Sequence, residues 1–243
     1  MAVGAPGEVW VGMGAFFGYY AAMAALLPII KVLFKVPGEL FRKMLHISCA
    51  MSVFVLLYAL ETWYLAALVV LVFALVVYPV LALAQRYPIF MKTLEERRTG
   101  EIKSSLVILC LMMATLIALF WGALGPQWKY VIIVSIMAWG FGDAAAALVG
   151  KAWGRRRIRL SWVEGPKTME GTLAMFVFAA LAIAATLAVS TAFPLRVCLA
   201  IAILTAPVCA FVELISRRGS DTITVPFAGA ASVFILVNLL ATG

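Results

Sequence analysis

The sequence predicts an all-α polytopic membrane protein, a bundle of about eight transmembrane helices with both termini outside, and three observations predict it. Of 243 residues, 65% are hydrophobic and only 12% charged, and the mean hydropathy is +1.10. Globular domains carry about 25% charged residues, so this chain cannot coat a water-facing surface of normal size, and lipid must face most of it. The apolar residues come in eight runs near the length that spans a bilayer, about 20 residues. The basic residues fall almost entirely in alternate connections between those runs. No segment shows the period-two pattern of a membrane barrel. No polar stretch exceeds roughly 20 residues, too short for a separate soluble domain, so the whole of 1–243 is expected to form a single integral membrane domain.

The runs follow in order. Val9–Ile30 comes after Met1–Glu8, which holds no Lys or Arg; this predicts a retained span and not a cleaved signal peptide. Met44–Leu60 is at the short end for a span and is joined to Trp63–Ala84 by little more than Glu61-Thr62. Ser104–Leu124, Tyr130–Gly150, Gly171–Ala192, Leu195–Ile215 and Thr222–Ala241 complete the eight. Lys31, Lys35, Arg42 and Lys43 lie between spans one and two, and Arg86, Lys92, Arg97, Arg98 and Lys103 between three and four. Lys151, Arg155, Arg156, Arg157, Arg159 and Lys167 lie between five and six, and Arg217 and Arg218 between seven and eight. Thus 17 of the 19 basic residues sit in odd-numbered connections, leaving only Lys129 and Arg196 for the others. The positive-inside rule places the odd connections in the cytoplasm.

This distribution explains the net charge of +8. The expected partners of the basic loops are anionic lipid headgroups and other phosphates, not nucleic acid. The four cysteines, Cys49, Cys110, Cys198 and Cys209, lie inside apolar runs with no CxxC or Cys/His clustering. Neither a disulfide framework nor structural zinc is expected.

Acids inside spans carry more information. Asp143 falls in span five and Glu213 near the end of span seven. A carboxylate at membrane depth costs several kcal/mol at least, so such residues face the protein interior or a polar cavity and mark function or a counter-ion role. Asp143 is seven residues before Gly150, roughly 10 Å along a helix. It is followed by Gly150-Lys151-x-x-Gly154-Arg155-Arg156-Arg157. A carboxylate suits Mg²⁺, and a glycine-containing basic loop suits phosphates. The loop is not a Walker A motif: the glycine spacing differs and Ala152 replaces the Ser or Thr. Further on, Lys167-Thr168-Met169-Glu170-Gly171-Thr172 leads into span six. There Thr168 is placed to cap the helix, Gly171 to permit close backbone approach, and Lys167 to add a positive charge beside a helix N-terminus that itself attracts anions.

Four separated pieces resemble the dolichol/phytol kinase family of polyprenol and lipid alcohol kinases. Arg42-Lys43-x-x-His46 is similar to the family's entry into its second span. Gly142-Asp143-x-x-Ala146-x-x-x-Gly150-x-x-x-Gly154 is similar to its Gly-Asp helix end. Lys167-Thr168-x-Glu170-Gly171-Thr172 is similar to its Lys-Thr-x-Glu-Gly-Ser/Thr motif, the most specific of the four. Glu213, with Asp221-Thr222-Ile223-Thr224-Val225-Pro226, is similar to its acidic residue and Asp-Asn-x-Thr-x-Pro stretch. Thr222 departs from the family's Asn, and Ala50 from an expected Gly after His46.

The resemblance implies a membrane kinase with its active site facing the cytoplasm. It would transfer the γ-phosphoryl of a nucleoside triphosphate, CTP favoured, to the hydroxyl of a lipid alcohol: phytol, a polyprenol or diacylglycerol. It implies Mg²⁺ as cofactor, with Asp143 and Glu170 as ligands, and Asp143, Lys167, Glu170 and His46 as the catalytic set. Arg42, Lys43, Gly150, Lys151, Arg155, Arg156, Thr168 and Gly171 would bind the nucleotide, with Glu213 and Asp221 as further candidates. Oligomeric state stays open. Two alternatives remain at this point. Phosphatidate cytidylyltransferase-like CDP-lipid synthesis is weakened because that family's C-terminal Lys-Asp and His-Gly-Gly elements do not occur. A transporter is weakened because the halves of the chain show no repeated broken helices.

Overall fold

The computed structural model describes residues 6–87, 100–217 and 219–240. Lys92, Arg97, Arg98 and Arg218, used above for topology, lie outside them. Among the described residues, eight helices are long and apolar enough to cross a membrane, and the only pairing of extended backbone is an isolated antiparallel bridge between Arg157 and Thr168. The all-α, eight-span expectation therefore holds. The chain resolves into two compact units, Met1–Gly125 and Pro126–Gly243.

The first unit contains α1 (Pro6–Leu33), α2 (Gly38–Ala59), α3 (Trp63–Ala84) and α4 (Glu101–Leu116). The last turn-and-a-half of its fourth span, Ile117–Ala123, is wound as a π-helix. Its core is aromatic where α1 meets α3: Phe73 lies edge-on to Phe16 and to Phe17, with ring centroids 5.0 Å apart in each pair. Two tyrosines fasten α1 to α2, Tyr19 donating to the Ser48 carbonyl at 2.7 Å and Tyr20 sharing a hydrogen bond with Ser52 at 3.0 Å. Such bonds satisfy polar groups that lipid cannot. The two-residue turn between α2 and α3 is held the same way. The carboxylate of Glu8 accepts the Glu61 and Thr62 amides at 2.8 and 3.0 Å and the Thr62 hydroxyl at 3.1 Å, supplying the cap that α3 does not make for itself.

In the second unit, α5 (Lys129–Trp153) packs on α6 (Met169–Ser190), α7 (Leu195–Ile215) and α8 (Asp221–Leu240). Residues Val131 to Gly140 of α5 are all buried, as expected of a helix that is apolar all round. The end of α5, the start of α6, the end of α7 and the start of α8 are joined by the connections 154–168 and 216–220. Lys129 and Arg196 begin α5 and α7 at the other end.

Two helix limits differ from the apolar runs in ways that bear on function. Helix α2 starts at Gly38, six residues before the run. Arg42 and Lys43 thus lie on its first turns and not in a loop, with Arg42 on the same face as His46, one turn further on. Helix α5 continues through Lys151 to Trp153, which puts Asp143 about 15 Å from the helix end, deeper than the run implied. Both differences have one cause. Lys, Arg and Glu are good helix formers, so the helices run on past the point where hydropathy falls.

Candidate active site

The elements of the site are set by small residues. Gly142, Ala146, Gly150 and Gly154 recur every fourth position along α5 and its end, forming one stripe along the helix. Three of them, Ala146, Gly150 and Gly154, meet the start of α6. A Cβ built on Gly171 would lie 2.9 Å from the Ala146 carbonyl oxygen and 3.4 Å from the Gly150 Cα, and one built on Gly150 would lie 3.1 Å from the Thr168 hydroxyl. Only glycines let these backbones come so close. Thr168, buried at the N-cap of α6, accepts the Gly171 amide at 3.1 Å, as the sequence predicts.

The connection from α5 to α6 folds back on itself at this point. The Ile158 amide donates to the Lys167 carbonyl at 3.0 Å and the Met169 amide to the Arg156 carbonyl at 2.9 Å. Both carboxylate oxygens of Glu170 accept the Arg156 amide at 3.3 Å. The backbone is pinned while the side chains of Lys151, Arg155, Arg156, Arg157 and Arg159 are exposed. The result is a basic rim beside a capped helix N-terminus, where side-chain charge and helix dipole both favour anions.

Beneath the rim lies a second polar group. One position on from Gly142, and so about 100° around α5, half-buried Asp143 turns away from the glycine stripe. Asp143 and Asp221 both lie within electrostatic reach of Glu213 on α7, which is 4% exposed. The indole N–H of Trp139, one turn before Asp143, donates to Asp221 Oδ2 at 3.3 Å. Lys167 completes the group: its ammonium forms an ion pair with Glu213 Oε1 and donates to the Glu213 carbonyl at 3.0 Å. At the α7–α8 turn, Ser216 and Thr224 share a hydrogen bond of 2.7 Å.

The structure thus joins Asp143, Lys167, Glu213 and Asp221 in one cluster, Gly150, Thr168 and Gly171 in a second, and Glu170 with Arg156 in a third. Arg42, Lys43 and His46 belong to the first unit. There the Arg42 guanidinium lies 3.5 Å from Glu39 and 3.3 Å from Glu101, while Lys43 and His46 are half-buried. Trp139 was not among the residues expected from sequence. Its one signal is its place four residues before Asp143, on the same helical face.

The donor set suits Mg²⁺, a hard cation held by carboxylate oxygen, commonly through one or two carboxylates with the rest of its shell from water and substrate phosphates. Among the described residues no three His, Cys, Asp or Glu are grouped so as to hold a metal ion between them.

The phytol kinase of Synechocystis sp. is 30% identical to this chain over 227 residues, 91% of this chain and 90% of that protein. The chain belongs to the phytol kinase family. No family model and no solved structure matches it. Membership of the phytol kinase family fits the concentration of polar groups at one end of the second unit.

Proposed function

We propose that the chain phosphorylates the hydroxyl of an isoprenoid alcohol of the phytol class, taking the γ-phosphoryl of CTP at an active site facing the cytoplasm. The observation that carries this reading is the likeness to a phytol kinase along nine-tenths of the chain. The reading treats 1–243 as one kinase domain, as the alignment runs through both units.

Phosphoryl transfer asks a protein mainly for positioning and charge neutralisation. Lys151, Arg155, Arg156 and the N-terminus of α6, with Thr168 and Gly171, hold the triphosphate. Lys167 reaches the same phosphates from the floor of the rim. Of Asp143 and Glu170, one holds Mg²⁺ and the other orients the hydroxyl; the metal supplies neutralisation of the phosphate charge. The hydroxyl oxygen bonds to the γ-phosphorus as the bond to the β–γ bridging oxygen breaks. CDP leaves, and the hydroxyl proton passes to a carboxylate or to water. For Arg42, Lys43 and His46 the reading rests on their motif alone.

The test is a reconstitution: purified protein, Mg²⁺, γ-labelled CTP, ATP or UTP, and a panel of phytol, longer polyprenols and diacylglycerol. The expected result is label on phytol with CTP as the best donor. Pyrophosphate release with a cytidylylated lipid product overturns the reading in favour of cytidylyl transfer. Solute flux in liposomes without lipid phosphorylation overturns it in favour of transport.

A further inference from the structure

The ion pair beneath the rim has a feature that neither the family motifs nor electrostatic economy explains. Lys167 leads into the α6 N-terminus, where a phosphate-binding lysine is expected to project outward. Its ammonium instead turns inward to the last turn of α7, where it takes both the Glu213 carboxylate and the Glu213 carbonyl. The Lys167 side chain is 26% exposed and that of Glu213 only 6%. Burying an ion pair brings little net stability against an apolar pair of the same volume. A positive charge at the end of α7 is favoured by the helix dipole, but any surface cation would serve that purpose without burying a carboxylate. What this arrangement does achieve is geometric. A flexible four-carbon side chain is tethered at its tip to a carboxylate that lies within electrostatic reach of Asp143 and Asp221.

We infer that Glu213 is the positioning residue of the nucleotide site: it acts through Lys167, holding the ammonium where the triphosphate is received, and does not itself bind metal or substrate. The inference rests on the reading of Lys167 as a phosphate contact and adds to it the device that orders that contact. A lysine searching its rotamers loses side-chain entropy when it is fixed on a ligand. Prior anchoring by Glu213 removes part of that cost from the binding step.

The experiment is a double-mutant cycle on purified full-length protein, with nucleotide KM, kcat, Mg²⁺ dependence and thermal stability measured on each preparation. The variants are Lys167→Ala, Glu213→Gln and the pair together. Glu213→Gln keeps the volume and a neutral acceptor, and Glu213→Asp serves as a second, charge-conserving variant. The expected result for Glu213→Gln is a nucleotide KM raised about tenfold, on the scale of one charge-assisted contact, with kcat changed less and the Mg²⁺ requirement unmoved. Glu213→Asp is expected to recover part of the loss. In the Lys167→Ala background, Glu213→Gln is expected to add nothing to KM, because the group it holds is gone. An additive effect in the double variant, or a shifted Mg²⁺ requirement in Glu213→Gln alone, overturns the inference and makes Glu213 a direct ligand. A fall in thermal stability with KM and kcat intact also overturns it, leaving a purely structural pair. If Lys167→Ala itself leaves KM and kcat unchanged in folded protein, it is the triphosphate reading that fails.

Discussion

At the scale of single residues the sharpest question is what Asp143 does. It is half-buried within a membrane span, close enough to Glu213 for their charges to interact, with the Lys167 ammonium paired to that same Glu213. Were it only a counter-ion, replacement by Asn would leave the chemistry intact and chiefly alter folding. As a metal ligand its charge is essential, while its shape is not. Asp143→Asn is therefore expected to insert and fold normally and to lose about a hundredfold or more in kcat at saturating lipid, given the several kcal/mol that a metal supplies at a phosphoryl oxygen. Higher Mg²⁺ is expected to restore a small part. Turnover and thermal unfolding on one preparation decide it, and near-normal turnover rejects the metal role. A second prediction separates the rim from the floor. Lys167→Ala is expected to weaken triphosphate binding by about 1.5–3 kcal/mol, and Arg156→Ala by less, since Lys151 and Arg155 stand beside it; isothermal titration with CTP measures both. The sequence singles these residues out as candidates because charge inside an apolar run and charge packed beside glycines both stand out there. The pairing of Lys167 with Glu213, 46 positions apart, does not. Hydropathy shows that each helix exists, but not which two ends meet.

At the scale of elements, the site depends on how closely the end of α5 approaches the start of α6. At Gly171 the approach is to backbone, and a methyl group there would sit 2.9 Å from a carbonyl oxygen that cannot yield by rotating a side chain. Gly171→Ala is expected to part the two helices and destabilise the protein by about 1–3 kcal/mol, the usual cost of overpacking, with a greater loss for Gly171→Val. Thermal unfolding in detergent gives the order. Thr168→Ala removes the cap on the same helix and is expected to cost about 1 kcal/mol, with Thr168→Ser near wild type. A Gly171→Ala protein as stable as wild type, or a Thr168→Ala protein with unchanged stability, removes the corresponding contact from the account. The helix limits show where sequence reading stops. The cap by Thr168 is legible in the sequence because an N-cap is a local arrangement of side chain and following amides. The early start of α2 and the late end of α5 are not, because their terminal turns are polar and helical together, and hydropathy registers only the first property.

For the whole molecule, the chain's charge distribution makes a prediction that no local contact makes. Of 19 basic residues, 17 fall in odd-numbered connections, and a segment followed by many Lys or Arg resists crossing the membrane. The eight helices among the described residues keep the count even, so both termini are expected on the outer side. A missed or invented span would have scattered the basic residues over both sets of connections; the regularity of the charges and the helix count therefore support each other. Single cysteines placed at Glu61, Arg156 and Arg217 in a cysteine-free background, probed with an impermeant maleimide, test this. Position 61 is expected to label from outside in intact cells, and positions 156 and 217 only after permeabilisation. The consequence reaches the chemistry. A phosphoryl donor made in the cytoplasm can meet Lys151, Arg155 and Lys167 only if the connection between α5 and α6 faces that compartment. Outside labelling at position 156 therefore overturns the topology and, with it, the placing of the nucleotide site at this end of the second unit.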